Sequence, residues 1–418
     1  MDRTILELTI KEHREFFLKK EDLISREFPK NLITNKKITV ISGIRRCGKS
    51  TLLKQISKSY KNDEFYYLNF EDERFLNLTF NDFNIIYEIF LKLYGDLDVF
   101  FFDEIQNVFG WEKFIRRLFE DGKKIYITGS NAKLLSSELA TSLTGRHLKY
   151  ELYPFSFKEY LNYHNFEIEN IYTTKNKSNL LRLYEKYIKI GGFPEVIISE
   201  DTQELKQLYQ DTLIKDLIVR FKIRDTKSFR ELVLYLISNV SKKISFNNLK
   251  NILQFNSVTT VKSYIDFLDE VYLVFSLYKF DFSIKKQIVN DRKIYGIDTG
   301  LINSVSFMFS ENIGRLFENL VFIELKRRSH EIYYHNLNQE CDFVIKEGLE
   351  ITQAIQVTRS LEEIDTKKRE IAGLLDACKT YKLKEGLILT EDEGYELEQD
   401  GVKIQVMPVW KWLLSETQ

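Results

Sequence analysis

Apolar residues over the first 155 positions alternate between two patterns. Five short runs are continuously β-branched, aliphatic or aromatic: Lys37-Ile38-Thr39-Val40-Ile41-Ser42, Glu64–Phe70, Asp98–Phe102, Lys124–Thr128 and Leu148–Leu152. Such runs suit strands covered on both faces. Between them the apolar positions fall three or four apart. Leu52, Leu53 and Ile56 share one face, as do Phe83, Ile86, Phe90 and Leu93 over 82–94, and Trp111 to Phe119 continues the pattern. Strands alternating with helices predict an α/β fold with a doubly wound parallel sheet. Residues 1–36 read as a helical lead-in whose apolar face is Phe16, Phe17, Ile24 and Phe28.

The alternation stops at Tyr153-Pro154. Residues 155–188 have helical spacing, with Tyr and Leu at core positions, and Gly191-Gly192-Phe193-Pro194-Glu195 is a turn leading into another helix. Helices are predicted over 229–239, over 246–253 with Ser245 as N-cap, and over 258–270 with Ser257 as N-cap. Tyr272-Leu273-Val274-Phe275 then opens a hairpin, and three short helices before a hairpin are the winged-helix order. A helix from Gly314 to Arg328 precedes strands at 332–335, 340–345 and 354–358. The chain therefore divides into 1–155, a helical connecting region 156–228, a winged-helix-like region 229–300, and an α/β region 301–418.

Composition narrows this picture. With 418 residues, 44% hydrophobic and 29% charged, the chain is of ordinary globular make-up and long enough for several cores. A net charge of −1 excludes a uniformly basic nucleic-acid binder. Between Phe221 and Lys293, however, 13 Lys and Arg face 7 Asp and Glu, which suits contact with the DNA backbone. Cys47, Cys341 and Cys378 are too far apart for a zinc site and, being odd in number, do not form a disulfide framework. No apolar run approaches the ~18 residues that span a bilayer, and the start lacks the shape of a secretory signal, so a cytoplasmic location is expected.

The chemistry concentrates at strand ends. Gly43-Ile44-Arg45-Arg46-Cys47-Gly48-Lys49-Ser50-Thr51 stands between the first strand and a helix, which is the P-loop pattern in its proper setting. Its glycines let successive N–H groups face a phosphate, and the new helix directs its positive end at the same anion. In such a loop Lys49 can reach the β- and γ-phosphates and the Ser50 hydroxyl can ligate Mg2+. Asp103 and Glu104 close the third strand in the Walker B arrangement; in such a site Asp103 would hold Mg2+ through water and Glu104 would orient or deprotonate the attacking water. Glu71 and Asp72 end the second strand and are candidates by position alone. Ser130 and Asn131, after the fourth strand, both qualify as γ-phosphate sensors. Arg146 is a candidate sensor or arginine finger.

Taken together, Gly-Ile-Arg-Arg-Cys-Gly-Lys-Ser-Thr-Leu, Phe-Phe-Phe-Asp-Glu-Ile-Gln, Ile-Thr-Gly-Ser-Asn and Leu-Thr-Gly-Arg resemble the prokaryotic AAA-type ATPases that carry a C-terminal domain of unknown function. Gly-Gly-Phe-Pro-Glu, Lys-Ile-Tyr-x-x-Asp-Thr-Gly, Phe-Glu-Asn-Leu-Val-Phe and Asp-Phe-Val-Ile…Ile-Gln-Val-Thr resemble that C-terminal domain, and the likeness runs from about residue 15 to 410. The resemblance implies an AAA+ fold with ATP and Mg2+, a winged helix, and a domain similar to PD-(D/E)xK nucleases. It places Glu318, Asp342 and Gln356 where such nucleases hold metal, and a catalytic lysine at 358. Here residue 358 is Thr358, and Gln356 replaces a carboxylate, so the fold is expected without the cleavage. The expected activity is ATP hydrolysis coupled to a partner, double-stranded DNA through residues 221–293, in a homo-oligomer with no membrane association. The alternatives are a nucleotide-sensing DNA-binding module without turnover, and an ATP-dependent nuclease.

Overall fold

The computed structural model describes residues 2–19, 24–131, 143–168, 171, 173–306 and 313–415. They form two compact units, Met1–Tyr153 and Pro154–Gln418.

In the first unit the five apolar runs become β1 (Ile38–Ser42), β2 (Phe65–Asn69), β3 (Val99–Asp103), β4 (Lys124–Gly129) and β5 (His147–Glu151). They pair in parallel in the order β2-β3-β4-β1-β5. Parallel pairing leaves both faces to be covered, and helices Lys49–Ser57, Asp82–Tyr94 and Trp111–Glu120 lie in the crossovers. One core joins Tyr66, Phe83, Phe90, Phe100, Phe102 and Phe114, with Phe83 stacked on Phe114 and Tyr66 on Phe90. Each such ring contributes on the order of 2–3 kcal/mol through the area it removes from water.

Helix Arg3–Leu18 buries Leu6, Ile10 and Phe17, which fall on one face of a 3.6-residue period. Phe16, expected on the same face, is exposed: one position from Phe17, it is rotated about 100° round the helix. Ile24 and Phe28 lie beyond the helix and are half-buried.

The second unit differs from its predicted outline in several places. The helical stretch 155–188 is two helices, Phe157–Tyr163 and Thr174–Ile190, with separate caps at Ser156 and Thr173. Three strands, β6 (Lys243–Ile244), β7 (Val274–Leu277) and β8 (Arg292–Gly296), form an antiparallel sheet ordered β6-β8-β7. Helices Phe246–Ile252 and Val258–Glu270 stand between β6 and β7. Ser257 caps its helix by accepting from the Thr260 N–H at 3.1 Å. Ser245 makes no such bond, although its backbone is extended as a cap's is. The hairpin expected at 272 is not tight, because helix Ile284–Val289 intervenes before β8. Arg292 and Lys293 are buried, so two of the cations counted towards a basic surface are withdrawn from it.

The remaining strands are β9 (Glu331–Asn336), β10 (Glu340–Glu347), β11 (Glu350–Val357), β12 (Glu385–Thr390), β13 (Tyr395–Gln399) and β14 (Val402–Pro408). They form a mixed sheet ordered β13-β14-β12-β11-β10-β9, with helix Ile364–Tyr381 against β10, β11 and β12. Helix Ile313–Arg327 precedes them.

Two turns far apart in sequence fit together in this unit. The Gly192 N–H donates to Asp298 Oδ2 at 2.7 Å, and the Leu301 N–H to Asp298 Oδ1 at 2.9 Å. A methyl group at Gly300 would lie 2.0 Å from the Ile190 carbonyl oxygen, so only glycine fits. Among the described residues no helix is long and apolar enough to cross a membrane, and Cys47, Cys341 and Cys378 are free, buried thiols.

Candidate active site

The carboxyl ends of β1, β3 and β4 reach one edge of the parallel sheet, and the chain leaves β1 there through the loop 43–48. Gly43 passes so close to β5 that a Cβ would lie 2.2 Å from the Leu152 carbonyl oxygen. Arg46 and Gly48 hold positive φ, 61° and 99°, which curls the loop before the start of helix Lys49–Ser57, the backbone form that suits an anion at a helix N-terminus. Buried Arg26 donates to the Cys47 carbonyl at 2.5 Å and the Tyr153 carbonyl at 2.7 Å, tying the loop to the residues just after β5. Cys47 fills the space beneath the loop, and burial pushes its thiol above the ordinary range.

Lys49 is buried at the loop's end. Its Nζ donates to the Gly43 and Ile44 carbonyls, both at 3.2 Å, and lies 3.1 Å from Glu104 Oε1. Glu104 takes a left-handed backbone, φ 49°, directly after β3. Its Oε2 accepts from Gln106 Nε2 at 2.5 Å and from the Ser130 N–H at 3.2 Å. Asp103 accepts from the Thr128 hydroxyl, from Tyr67 at 3.4 Å, and from the Ser50 side chain.

The adjacent carboxylates are driven apart. Burial and the Glu104 charge raise Asp103, with Ser50 and Thr128 opposing. Burial would also raise Glu104, but Lys49 and the Gln106 hydrogen bond outweigh it and hold Glu104 below the ordinary range. For Lys49, burial works against the charge and Glu104 overcomes it, leaving the ammonium above its ordinary value. A charged lysine thus faces an ionised glutamate, beside a carboxylate that lacks a full cationic partner. Carboxylates pushed in opposite directions mark acid–base sites.

Residues 35–161 match the family model described as the AAA domain, and residues 181–312 match a domain of unknown function, DUF8612. The uncharacterized protein MJ1544 of Methanocaldococcus jannaschii is 39% identical over 416 residues, covering 95% of this chain and 92% of its own. The chain belongs to the MJ1544 family. An uncharacterized protein of Haemophilus influenzae is 32% identical over 393 residues, covering 90% of this chain and 94% of its own. Among solved structures, the RuvB Holliday junction branch migration motor of Thermotoga maritima overlaps with 14% identity and a TM-score of 0.28, covering 65% of this chain and 87% of its own. AMPPCP-bound DnaA of Aquifex aeolicus overlaps with 18% identity and a TM-score of 0.25, covering 62% and 86%. At such low scores the likeness carries no functional weight.

Within the AAA domain, Gly43 to Thr51, Asp103, Glu104, Ser130 and Asn131 all meet at one sheet edge, and both sensor candidates are buried there. Arg146 does not join them. Its carbonyl accepts from the Ile38 N–H at 2.9 Å, at the amino end of β1, and its guanidinium lies 3.6 Å from Glu120. That is the opposite edge of the sheet, about 13 Å of strand from the loop. Glu71 pairs with Arg45 at 2.6 Å, and Asp72 with His13 at 2.8 Å and Arg74 at 2.7 Å.

Thr128, Tyr67, Gln106 and Arg26 belong to this site and went unnoticed in the sequence. For Thr128 a signal existed. Parallel register sets Phe102 beside Ile127, which puts the next residue, Thr128, beside Asp103. Arg26 carried none, since its partners are backbone carbonyls 21 and 127 residues away. In the second unit Glu318, Asp342 and Gln356 do converge. The Asp342 N–H donates to Gln356 Oε1 at 3.2 Å, while the Thr358 hydroxyl donates to the Ser360 carbonyl at 3.4 Å.

Proposed function

We propose that the chain is a Mg2+-dependent AAA-type ATPase whose Pro154–Gln418 unit holds a partner, double-stranded DNA. The observation that carries this reading is the meeting of Lys49, Ser50, Asp103 and Glu104 at one sheet edge, with Lys49 Nζ 3.1 Å from Glu104. The residues suit a nucleoside triphosphate with its metal. Gly43 sits where a methyl group would collide, the loop presents N–H groups, and Ser50 and Asp103 offer neighbouring hard oxygens. Ser50 and Asp103 would hold Mg2+, which neutralises charge on the β- and γ-phosphates. Lys49 now spends its donors on two carbonyls and a carboxylate, and a phosphate dianion is the stronger acceptor for them. Glu104, released from Lys49, is the ionised base that orients the attacking water and takes its proton.

Arg146, at the far edge of its own sheet, is assigned to the site of a neighbouring copy in a homo-oligomer. The DNA assignment rests on the order helix, β6, helix, helix, β7, β8, read as a winged helix with the short helix Ile284–Val289 inserted between β7 and β8, and on the exposed Lys242, Lys285 and Lys286.

The test is steady-state ATP hydrolysis by wild type and Glu104→Gln, with and without double-stranded DNA. Turnover is expected to fall about 10²–10⁴-fold in the variant while ATP binding persists, and to rise with DNA in the wild type. Normal hydrolysis by Glu104→Gln would sink the base assignment, and indifference to DNA would transfer the partner role to a protein. The ion pair between Lys49 and Glu104 favours one further reading, a nucleotide sensor whose base stays engaged. Tight ATP binding without turnover in the wild type would establish it.

A further inference from the structure

The likeness of the C-terminal strands to PD-(D/E)xK nucleases implies a divalent metal at the joint of Glu318, Asp342 and residue 356. The side chains there do not fit one. Lys293, the second residue of β8, occupies the centre of that joint. Its Nζ lies 2.7 Å from Asp342 Oδ1, 2.8 Å from Glu340 Oε1 and 3.1 Å from Glu318 Oε1. The residue is 1% exposed. Tyr295, on the same face of β8, donates to Glu318 Oε1 at 2.7 Å.

The second oxygens of Asp342 and Glu340 are also engaged. Asp342 Oδ2 accepts from the Val357 N–H at 2.9 Å, and Glu340 Oε2 meets Lys243 Nζ at 2.6 Å. Gln356 offers an amide where a metal site needs a charged oxygen. Its Oε1 accepts from the Asp342 N–H at 3.2 Å, and its Nε2 donates to Glu370 at 2.5 Å. Three carboxylates therefore point at one place, and a nitrogen already stands there.

We infer that Lys293 takes the place of the divalent cation, so that this joint is a cation site closed by the chain's own ammonium and binds neither Mg2+ nor Mn2+ in the native protein. A metal ion sits 2.0–2.6 Å from its oxygens, and an ammonium 2.7–3.1 Å from the same three oxygens leaves no room for it. Charge points the same way. Burial opposes the ammonium, but Asp342, Glu318 and Glu340 outweigh it and keep Lys293 protonated well above the ordinary lysine range. The lysine also does what a bridging metal would do structurally. It joins β8 of the three-stranded sheet to β10 of the mixed sheet and to helix Ile313–Arg327.

The test is Mn2+ binding to the nucleotide-free full chain, read from the electron paramagnetic resonance signal of free Mn2+. Four proteins are compared: wild type, Asp342→Asn, Lys293→Ala and the double variant. Wild type and Asp342→Asn are expected to bind Mn2+ alike. Lys293→Ala is expected to gain one Mn2+ site and to melt at a higher temperature with Mn2+, and both gains should vanish in the double variant. A Mn2+ site in the wild type that Asp342→Asn removes would overturn the inference, as would a folded Lys293→Ala that gains none. If Lys293→Ala does not fold, the wild type and Asp342→Asn pair decides alone.

Discussion

Each unit of this chain buries a lysine among carboxylates, and the two lysines are built for opposite ends. Lys49 stands where a loop becomes a helix, faces one carboxylate directly, and shares its remaining donors with two backbone carbonyls. Those carbonyls are weaker acceptors than a phosphate, and the loop beside them turns through positive φ at Arg46 and Gly48 into the start of a helix. Lys293 lies within a strand, paired on both edges, and faces three carboxylates. Burying a charge is costly in both places. In the first, the compensation is partial and leaves the ammonium ready to change partners. In the second it is complete, and nothing is left to recruit. How well a buried ion is satisfied therefore separates a binding site from a structural tie better than its burial does.

Removing each lysine is the strongest way to break this comparison. Lys49→Ala is expected to weaken ATP binding by at least about 100-fold with a smaller loss of stability than Lys293→Ala, since it leaves one directly paired carboxylate without its cation rather than three. Lys293→Ala, in the absence of divalent metal, is expected to cost about 3–5 kcal/mol of stability and leave ATP affinity unchanged, because three carboxylates lose their counter-charge. Isothermal calorimetry with a non-hydrolysable ATP analogue and chemical denaturation distinguish the two outcomes. Equal loss of stability in both variants would erase the distinction.

Asp298 sharpens it by showing a buried carboxylate that meets N–H groups rather than lysine. Burial raises it to about 6 from an ordinary 3.8, with the Gly192, Leu301 and Gly300 N–H groups opposing. An acid raised on folding stabilises fully below its unfolded value and loses that contribution as pH rises through its folded value. Stability carried by Asp298 should therefore decline between about pH 4 and pH 6, by at most about 3 kcal/mol. Melting curves of wild type and Asp298→Asn across that range should converge or cross, and a constant difference would refute the assignment.

The smallest expected effect is at Thr128, a neutral group whose hydroxyl donates to the Asp103 carboxylate and accepts from the Glu104 N–H. Thr128→Val leaves Asp103 and the Glu104 N–H each one partner short, at a cost of about 1–3 kcal/mol. ATP turnover should fall about tenfold with affinity nearly unchanged, if the hydroxyl positions the pair rather than touching nucleotide.

The first unit was far more legible than the second. Continuous apolar strands, amphipathic helices and a glycine loop are local signals, and Asp103 and Glu104 follow their strand by position alone. What stayed hidden depended on register or on backbone acceptors: Thr128 beside Asp103, Arg26 on two distant carbonyls, and Arg146 at the wrong end of β5 for its own loop. In the second unit the motif positions Glu318, Asp342 and Gln356 were visible. Lys293 read as one more surface cation, because nothing local says that a strand lysine will meet carboxylates 25 and 49 residues later. Phe16 shows the same limit on a small scale, where a one-residue error in helical phase exchanges the buried face for the exposed one.

The fit of the Gly191–Gly192 turn against Asp298 and Gly300 has a consequence for biosynthesis. The bond from the Gly192 N–H spans 106 residues, so the helix ending at Ile190 emerges from the ribosome long before its partner exists. At 5–20 residues per second that interval is about 5–20 seconds. Throughout it, Phe157 and Tyr160 can already pack on Tyr184 and Tyr187, but the face that meets helix Thr299–Val305 has no native cover until that helix is made.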